Sequence, residues 1–319
     1  MNTVIVGCGA IADRWARVLI ADPRVRIVGL VDPQLDRAEQ LAERRCPKAE
    51  LATTMQQVLA AAAVDVVVNL TPPEAHAAVS REALLSGMHV LTEKPLATQL
   101  ADAVELAELA RANRCALAVM HNRGRDPKFL AFADRVTAAG PGPYVVTADV
   151  VVDLHDPGFR SQHRLPVTTD LAVHAFDQIQ ALIGATPVEV SGTELPLPFL
   201  GTHWGLATIT ITFADASVLC YRGGYAGRGL ATNAVGIWRV DGPDYAARWE
   251  PSTGQPHDQP PPYRQCIASM LDTVESVRAG GVAPWPTLAL RSTAMLEAAL
   301  NSALAARPAA VAPTPMDQP

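Results

Sequence analysis

The sequence has no excess of positive charge: 26 Lys and Arg stand against 32 Asp and Glu, a formal net charge of -6. A nucleic-acid footprint needs clustered Lys and Arg that make a domain basic, so nucleic acid is not an expected partner. No uninterrupted apolar run is long enough to cross a bilayer, and no membrane association is expected. The start, Met1 into Thr3-Val4-Ile5-Val6-Gly7, lacks the basic flank and small-residue cleavage site of a signal peptide, which points to the cytoplasm. Cysteine is sparse and odd in number: Cys8, Cys46, Cys115, Cys220 and Cys266 are widely spaced with no CxxC pair, so they read as free thiols rather than a disulfide frame or a zinc site.

What is there is a globular composition, 49% hydrophobic and 18% charged over 319 residues. That length suits two domains, each large enough to bury a core. Residues 2–6, 26–31, 64–70, 89–92 and 116–120 are short apolar runs separated by Ala- and Leu-rich stretches of helical spacing. Repeated β-α-β of this kind implies a doubly wound parallel sheet, and continuous runs such as Val66-Val67-Val68 fit strands buried on both faces.

Beyond residue 120 the pattern changes. A helix is expected over 127–139, broken by Gly140-Pro141-Gly142-Pro143 before a strand over 144–152. Residues 207–213 alternate Ala207, Ile209, Ile211 and Phe213 against Thr208, Thr210 and Thr212, as a half-buried antiparallel strand does. Helices are expected over 263–279 and 287–306, with a proline-rich loop over 251–262. The expected division is a nucleotide-binding domain over 1–120, an α+β substrate-binding and oligomerisation domain over 121–306 whose last helix is a candidate to pack back on the first, and a flexible tail over 307–319.

Gly7-Cys8-Gly9-Ala10-Ile11-Ala12 is GxGxxA after the first strand and opening the first helix, and Asp32 ends the second strand. Glycine at 7 permits the tight turn, glycine at 9 lets a pyrophosphate approach the backbone, and small Ala12 lets helix and strand pack. The exposed amides and dipole at Ala10 and Ile11 then attract the anion. Asp32 would accept hydrogen bonds from the ribose hydroxyls and repel a 2′-phosphate, which favours NAD; Arg37 keeps NADP as the other candidate.

Thr71-Pro72 with His76, Glu93-Lys94-Pro95 and His121-Asn122-Arg123 each follow an expected strand. Ligands of open α/β sheets bind outside that carboxyl edge, so Asp32, Thr71, Lys94 and Asn122 should converge there. Proline after Lys94 biases its backbone and fixes where the ammonium points, with the Lys94-Pro95 bond open to either isomer. Further on, Asp170 and His174 at i,i+4 of a helix start would share a face and pair an acid with a base. Asp153, His155, Asp156 and His163 precede them with irregular spacing. They read as a loop touching substrate through His155 rather than as a metal site, and no metal is expected. His121, Trp204 and Trp238 are further candidates to reach substrate, with core packing the better reading of the two tryptophans.

Together these segments resemble the Gfo/Idh/MocA family of nicotinamide-dependent oxidoreductases, typified by glucose-fructose oxidoreductase and inositol 2-dehydrogenase. The resemblance rests on Gly7 to Ala12, Thr71-Pro72 with His76, Glu93-Lys94-Pro95, Asn122-Arg123, Asp170 to Asp177, and the late Glu297-Ala298 and Ser302 helix. It implies a Rossmann domain followed by a domain with a large, mostly antiparallel sheet, assembled as homodimer or homotetramer. It also implies a catalytic set that maps onto Lys94, Asp170 and His174, with NAD contacts from Gly7, Gly9, Ala10, Ile11, Asp32, Thr71, Pro72, His76, Glu93, Lys94 and Asn122. Substrate contacts are expected from Lys94, His121, Arg123, His155, Asp170 and His174. Val167-Thr168-Thr169 and Ala172 replace glycines usual in the family, so the substrate loop is expected to differ in shape. The expected reaction moves a hydride between nicotinamide and a secondary alcohol or ketone of a sugar, inositol or related polyol. Reduction of an imine or keto intermediate, and a non-catalytic dinucleotide sensor, are the alternatives.

Overall fold

The computed structural model describes residues 1–153, 158–196, 205–225, 232, 234–250 and 261–317. The chain folds as two units, one of residues 1–97, 101–120 and 264–286, the other of 98–100, 121–263 and 287–319.

The first unit is built on a parallel sheet of β1 (Asn2–Val6), β2 (Arg26–Val31), β3 (Glu50–Ala52), β4 (Val66–Asn69), β5 (His89–Thr92) and β6 (Leu117–Val119). They stand in the order β3-β2-β1-β4-β5-β6, all neighbours parallel. Helices α1 (Ala10–Ile20), α2 (Leu35–Arg45), α3 (Met55–Ala61), α4 (Pro73–Leu85) and α5 (Leu100–Ala112) make the crossovers. Val4, Ile5, Val66, Val67 and Val68 have no exposed surface, as strands covered on both faces require. The strand order reverses between β1 and β4, the point at which open α/β sheets leave a crevice at their carboxyl edge.

The second unit opens with α6 (Pro127–Ala139), whose first turn has Pro127 and whose N-cap Asp126 accepts the Lys128 N–H at 2.9 Å. Its sheet comprises β7 (Val145–Val151), β8 (Pro187–Pro196), β9 (Gly205–Phe213), β10 (Val218–Gly224), β11 (Ile237–Asp241) and β12 (Ala246–Trp249). A π-helical turn over Val167–Ala172 leads straight into α7 (Val173–Gln178), and every residue of both is buried. The chain then continues through α8 (Pro261–Arg278) and α9 (Thr287–Ala305) to β13 (Ala309–Ala310). The sheet order is β12-β11-β7-β10-β9-β8-β13, antiparallel throughout except for β7 with β10. Ala207, Ile209, Ile211 and Phe213 of β9 turn inward, where they join Phe129, Phe176, Trp238 and Met295 in one apolar core. Trp238 is fully buried and stacks edge-on against Phe129 at 5.2 Å, so it is a core residue and does not reach a substrate.

Two expectations about the last hundred residues are corrected. Helix α9 keeps its place in the second unit, where Ser302 Oγ accepts the Gly192 N–H of β8 at 3.0 Å. The helix that belongs to the first unit is α8 from residue 264, held there by Arg24 to Asp272 at 2.6 Å and Glu275 at 3.0 Å, and by Arg278 to Asp65 at 3.2 Å. The tail is not frayed as far as it is described. β13 pairs with β8, the Val311 N–H donates to Val188 O at 2.8 Å, and Asp317 accepts from Arg291 at 2.6 Å and from the Thr314 hydroxyl at 2.6 Å. Among the described residues no helix is long and apolar enough to cross a membrane.

Candidate active site

The first unit gathers its candidate residues on the carboxyl ends of four adjacent strands, β2, β1, β4 and β5. Gly7 turns the chain out of β1 with φ +95°, and a Cβ there would lie 2.6 Å from the Leu70 carbonyl carbon and oxygen at the end of β4. Both the dihedral and the close approach demand glycine. At Gly9, the N-cap of α1, no atom lies within 4 Å of the position a Cβ would take. The Ala10 and Ile11 amides beyond it have no acceptor inside the helix. An open space over a helix N-terminus fits a dinucleotide pyrophosphate. Ala12 is fully buried, as close helix-strand packing requires.

Asp32 is 5% exposed and works in two directions. Its Oδ2 accepts the Cys8 N–H and its Oδ1 the Gln34 N–H, each at 2.9 Å, so the carboxylate locks the glycine turn to the end of β2. Each oxygen keeps acceptor capacity for a ribose hydroxyl. Burial, reinforced by Asp32 and Cys46, pushes the Cys8 thiol up to about 12, so this cysteine is a packed thiol rather than a nucleophile.

Thr71 and Pro72 follow β4, with the Thr71 hydroxyl donating to Asn69 Oδ1 at 2.7 Å. Asn69 Nδ2 in turn donates to His76 O and Ser80 Oγ, both at 3.0 Å. His76 is 1% exposed, with Nδ1 2.6 Å from Pro95 O and Nε2 2.8 Å from Thr71 O. Burial holds its pKa below the ordinary value against the pull of the two carbonyls. A neutral ring carries one N–H and donates to one of these carbonyls at a time, so His76 stands between the loops after β4 and β5 with both ring nitrogens facing backbone. Glu93 Oε1 accepts the indole N–H of fully buried Trp15 in α1 at 2.8 Å and so ties the Lys94 loop to the helix behind the glycine turn. The Lys94-Pro95 peptide is cis.

His121, Asn122 and Arg123 follow β6 and belong to the second unit. His121 is buried with Nδ1 3.5 Å from Asp177 Oδ1. The Asp177 carboxyl accepts the Gly124 N–H, and burial raises its pKa to about 7 even with Arg125 pulling it down. A Cβ on Gly124 would collide with that carboxylate, so Asp177 shapes the 121–125 loop.

Asp170 sits in the π-helical turn and His174 in α7, both 7% exposed. The Asp170 Oδ2 accepts from Arg160 Nε at 2.6 Å and from the Tyr225 hydroxyl at 2.6 Å, with the guanidinium 5.6 Å from the Tyr225 ring centroid. Glu194 of β8 caps the turn by accepting the Val167 N–H at 2.9 Å, the Thr168 N–H at 2.8 Å and the Thr168 hydroxyl at 2.7 Å. Sequence reasoning missed Arg160, Glu194, Tyr221 and Tyr225, which lie 10 to 55 positions from Asp170 and carry no spacing signal. Asn69 and Ser80 were missed as well, although a buried-strand Asn beside a Thr-Pro turn was a signal to follow. His155, Asp156 and Trp204 lie outside the described residues.

Residues 1–121 match the sequence profile of an oxidoreductase family with an NAD-binding Rossmann fold. The chain is 30% identical over 213 residues to myo-inositol dehydrogenase Hyg17 of Streptomyces leeuwenhoekii, covering 66% of this chain and 65% of that relative. It is 28% identical over 269 residues to inositol 2-dehydrogenase of Corynebacterium glutamicum strain R, 77% of this chain and 75% of the relative. Among solved structures, GenD2 from gentamicin A biosynthesis in complex with NAD superimposes with a TM-score of 0.84 at 23% identity, over 98% of this chain and 97% of that one. A myo-inositol dehydrogenase from Corynebacterium glutamicum ATCC 13032 gives 0.74 at 19% identity over 98% and 99%. These structural likenesses speak for the fold.

Proposed function

We propose that the chain, whose residues 1–121 match an oxidoreductase family with an NAD-binding Rossmann fold, is a Gfo/Idh/MocA oxidoreductase that oxidises a secondary alcohol of a sugar, inositol or related cyclic polyol and reduces the matching ketone. The observation that carries the reading is the carboxyl edge of the first sheet, where the open turn at Gly9, Asp32, Thr71 and Lys94 stand on adjacent strands. The names of the inositol dehydrogenases it is similar to supply the polyol class.

Bound NAD supplies the acceptor for the hydride. The protein's own residues do the rest. Gly9, Ala10 and Ile11 offer backbone to the pyrophosphate, and Asp32 offers carboxylate oxygens to the ribose, with a charge that disfavours a 2′-phosphate. Thr71, Pro72, Glu93 and Asn122 border the cofactor, while His76 positions the two loops. Lys94 hydrogen-bonds the reacting oxygen and stabilises its developing negative charge. A ring nitrogen of His174 takes the hydroxyl proton in oxidation and returns it in reduction. Asp170, held by Arg160 and Tyr225, orients this pair or a neighbouring substrate hydroxyl.

The test is NADH formation with a panel of inositols, aldoses and ketoses, and NADH consumption with ketones and cyclic imines. Turnover of at least one polyol is expected, with His174→Ala lowering kcat about 10²–10⁴-fold and leaving NAD affinity in place. Turnover of imines alone, or a His174→Ala enzyme as fast as wild type, overturns the reading.

A further inference from the structure

Two polar groups of the second unit, one half-buried and one buried, have no side-chain partner among the described residues. The Arg123 guanidinium is half-buried, and among the described residues no carboxylate lies within 4.0 Å of it. The Tyr221 hydroxyl of β10 is buried in a residue 2% exposed and has no hydrogen-bond partner among the described residues. The two groups lie within electrostatic reach of each other and of Asp170. Asp170 is the carboxylate whose charge acts on Arg123, and its Oδ2 is already engaged by Arg160 at 2.6 Å and by Tyr225 at 2.6 Å. Glu194 also faces Tyr221, but its carboxylate is spent on capping the π-helical turn. Among the described residues the neighbourhood thus holds two guanidinium groups beside one committed carboxylate, with Glu194 turned to the backbone.

A partly desolvated guanidinium with no carboxylate paired to it, beside a buried hydroxyl with no partner, marks a place where an anion is expected. Burial lowers the Arg123 pKa against the pull of Asp170, a balance that a bound anion would tip back toward the charged form. A planar guanidinium fork matches a carboxylate in two parallel hydrogen bonds, and a buried hydroxyl can donate a third. One unmatched positive charge suits a monoanion rather than a phosphate dianion.

We propose that the substrate carries a carboxylate, as in a uronic or aldonic acid, received by Arg123 with the Tyr221 hydroxyl donating to the same group. This rests on the oxidoreductase reading and narrows its substrate class from neutral polyols to sugar acids. The experiment compares matched pairs with NAD bound: D-glucuronate with D-glucose, D-galacturonate with D-galactose, and D-gluconate with sorbitol. Glucose 6-phosphate separates carboxylate from phosphate. Both kcat/KM and calorimetric affinity are read.

At least one acid is expected to exceed its neutral partner by roughly 10- to 100-fold, the worth of a charge-assisted bidentate contact. Arg123→Gln should bring that ratio close to one without weakening NAD binding, and Arg123→Lys should restore part of it. Thermal melting of each variant checks that it folds. Tyr221→Phe should lower the ratio by a smaller factor. If no acid binds or reacts better than its partner, if glucose 6-phosphate surpasses every acid, or if Arg123→Gln weakens NAD instead, the proposal is overturned. Tight binding of an acid that Arg123→Gln abolishes, with no turnover of any substrate, would uphold the anion site and defeat the proposed reaction.

Discussion

Gly7 shows how much a single residue can be asked to do. Its φ of +95° lies in the region other residues avoid, and the Leu70 carbonyl carbon stands 2.6 Å from where a Cβ would be. Gly7→Ala is therefore expected to displace the end of β4, costing roughly 2–4 kcal/mol and most of the NAD affinity. Thermal melting and NADH fluorescence titration read the two losses. Gly9 differs, because a Cβ there meets no protein atom and would intrude only on a ligand. Gly9→Ala should accordingly keep the melting temperature and weaken NADH binding, and equal losses in both measurements would contradict the open space above α1. Asp32 was legible from its place at the end of β2. Its bond to the Cys8 N–H was not, since a carboxylate reaching back 24 positions leaves no mark on local composition.

At the scale of elements, the strands of the first sheet were readable because they are buried on both faces and so run continuously apolar. β3 was missed: Glu50-Leu51-Ala52 is three residues long and has no β-branched side chain. The segment around Asp170 reads as a regular helix start, whereas it is a π-helical turn ahead of α7. A period of 3.6 cannot reveal such a bulge from a run of Val, Thr and Ala. The same segment carries a pH dependence through Asp177. Burial raises its carboxyl from the usual 3.8 to about 7, with His121, Arg125 and the Gly124 N–H facing it. The folded state then holds a proton that the unfolded state has released, so stability falls as pH rises from about 4 to about 7 and levels above that. Asp177→Asn keeps an oxygen for the Gly124 N–H. It should remove this slope and leave the variant relatively more stable at alkaline pH, which denaturant melts across that window would show.

For the whole molecule, the two-unit division is close to the one expected from the break at residue 120, but α8, expected in the second domain, groups with the first unit. α8 and α9 are alike in length, although α9 is the more apolar. What separates them is the ion pairing of Asp272, Glu275 and Arg278 on one side and the Ser302 contact with β8 on the other. The tail departs from expectation for a similar reason: Ala309-Ala310 looks like nothing by composition, yet it adds a strand to β8 and ends in the Asp317 network. Deleting residues 309–319 should expose the β8 edge and orphan Arg291, lowering the melting temperature by roughly 5–10 °C in calorimetry. An unchanged transition would show that the pairing contributes nothing. The amino-acid order was enough to establish the doubly wound first unit, its glycine turn and the lysine at the sheet edge, because local periodicity and steric demand act between near neighbours. The partners of Asp170, the backbone contacts of His76, the unmatched Arg123 and the docking of the tail were settled only in three dimensions. Each depends on side chains brought together from distant strands, and their electrostatics follow from burial that no linear pattern records.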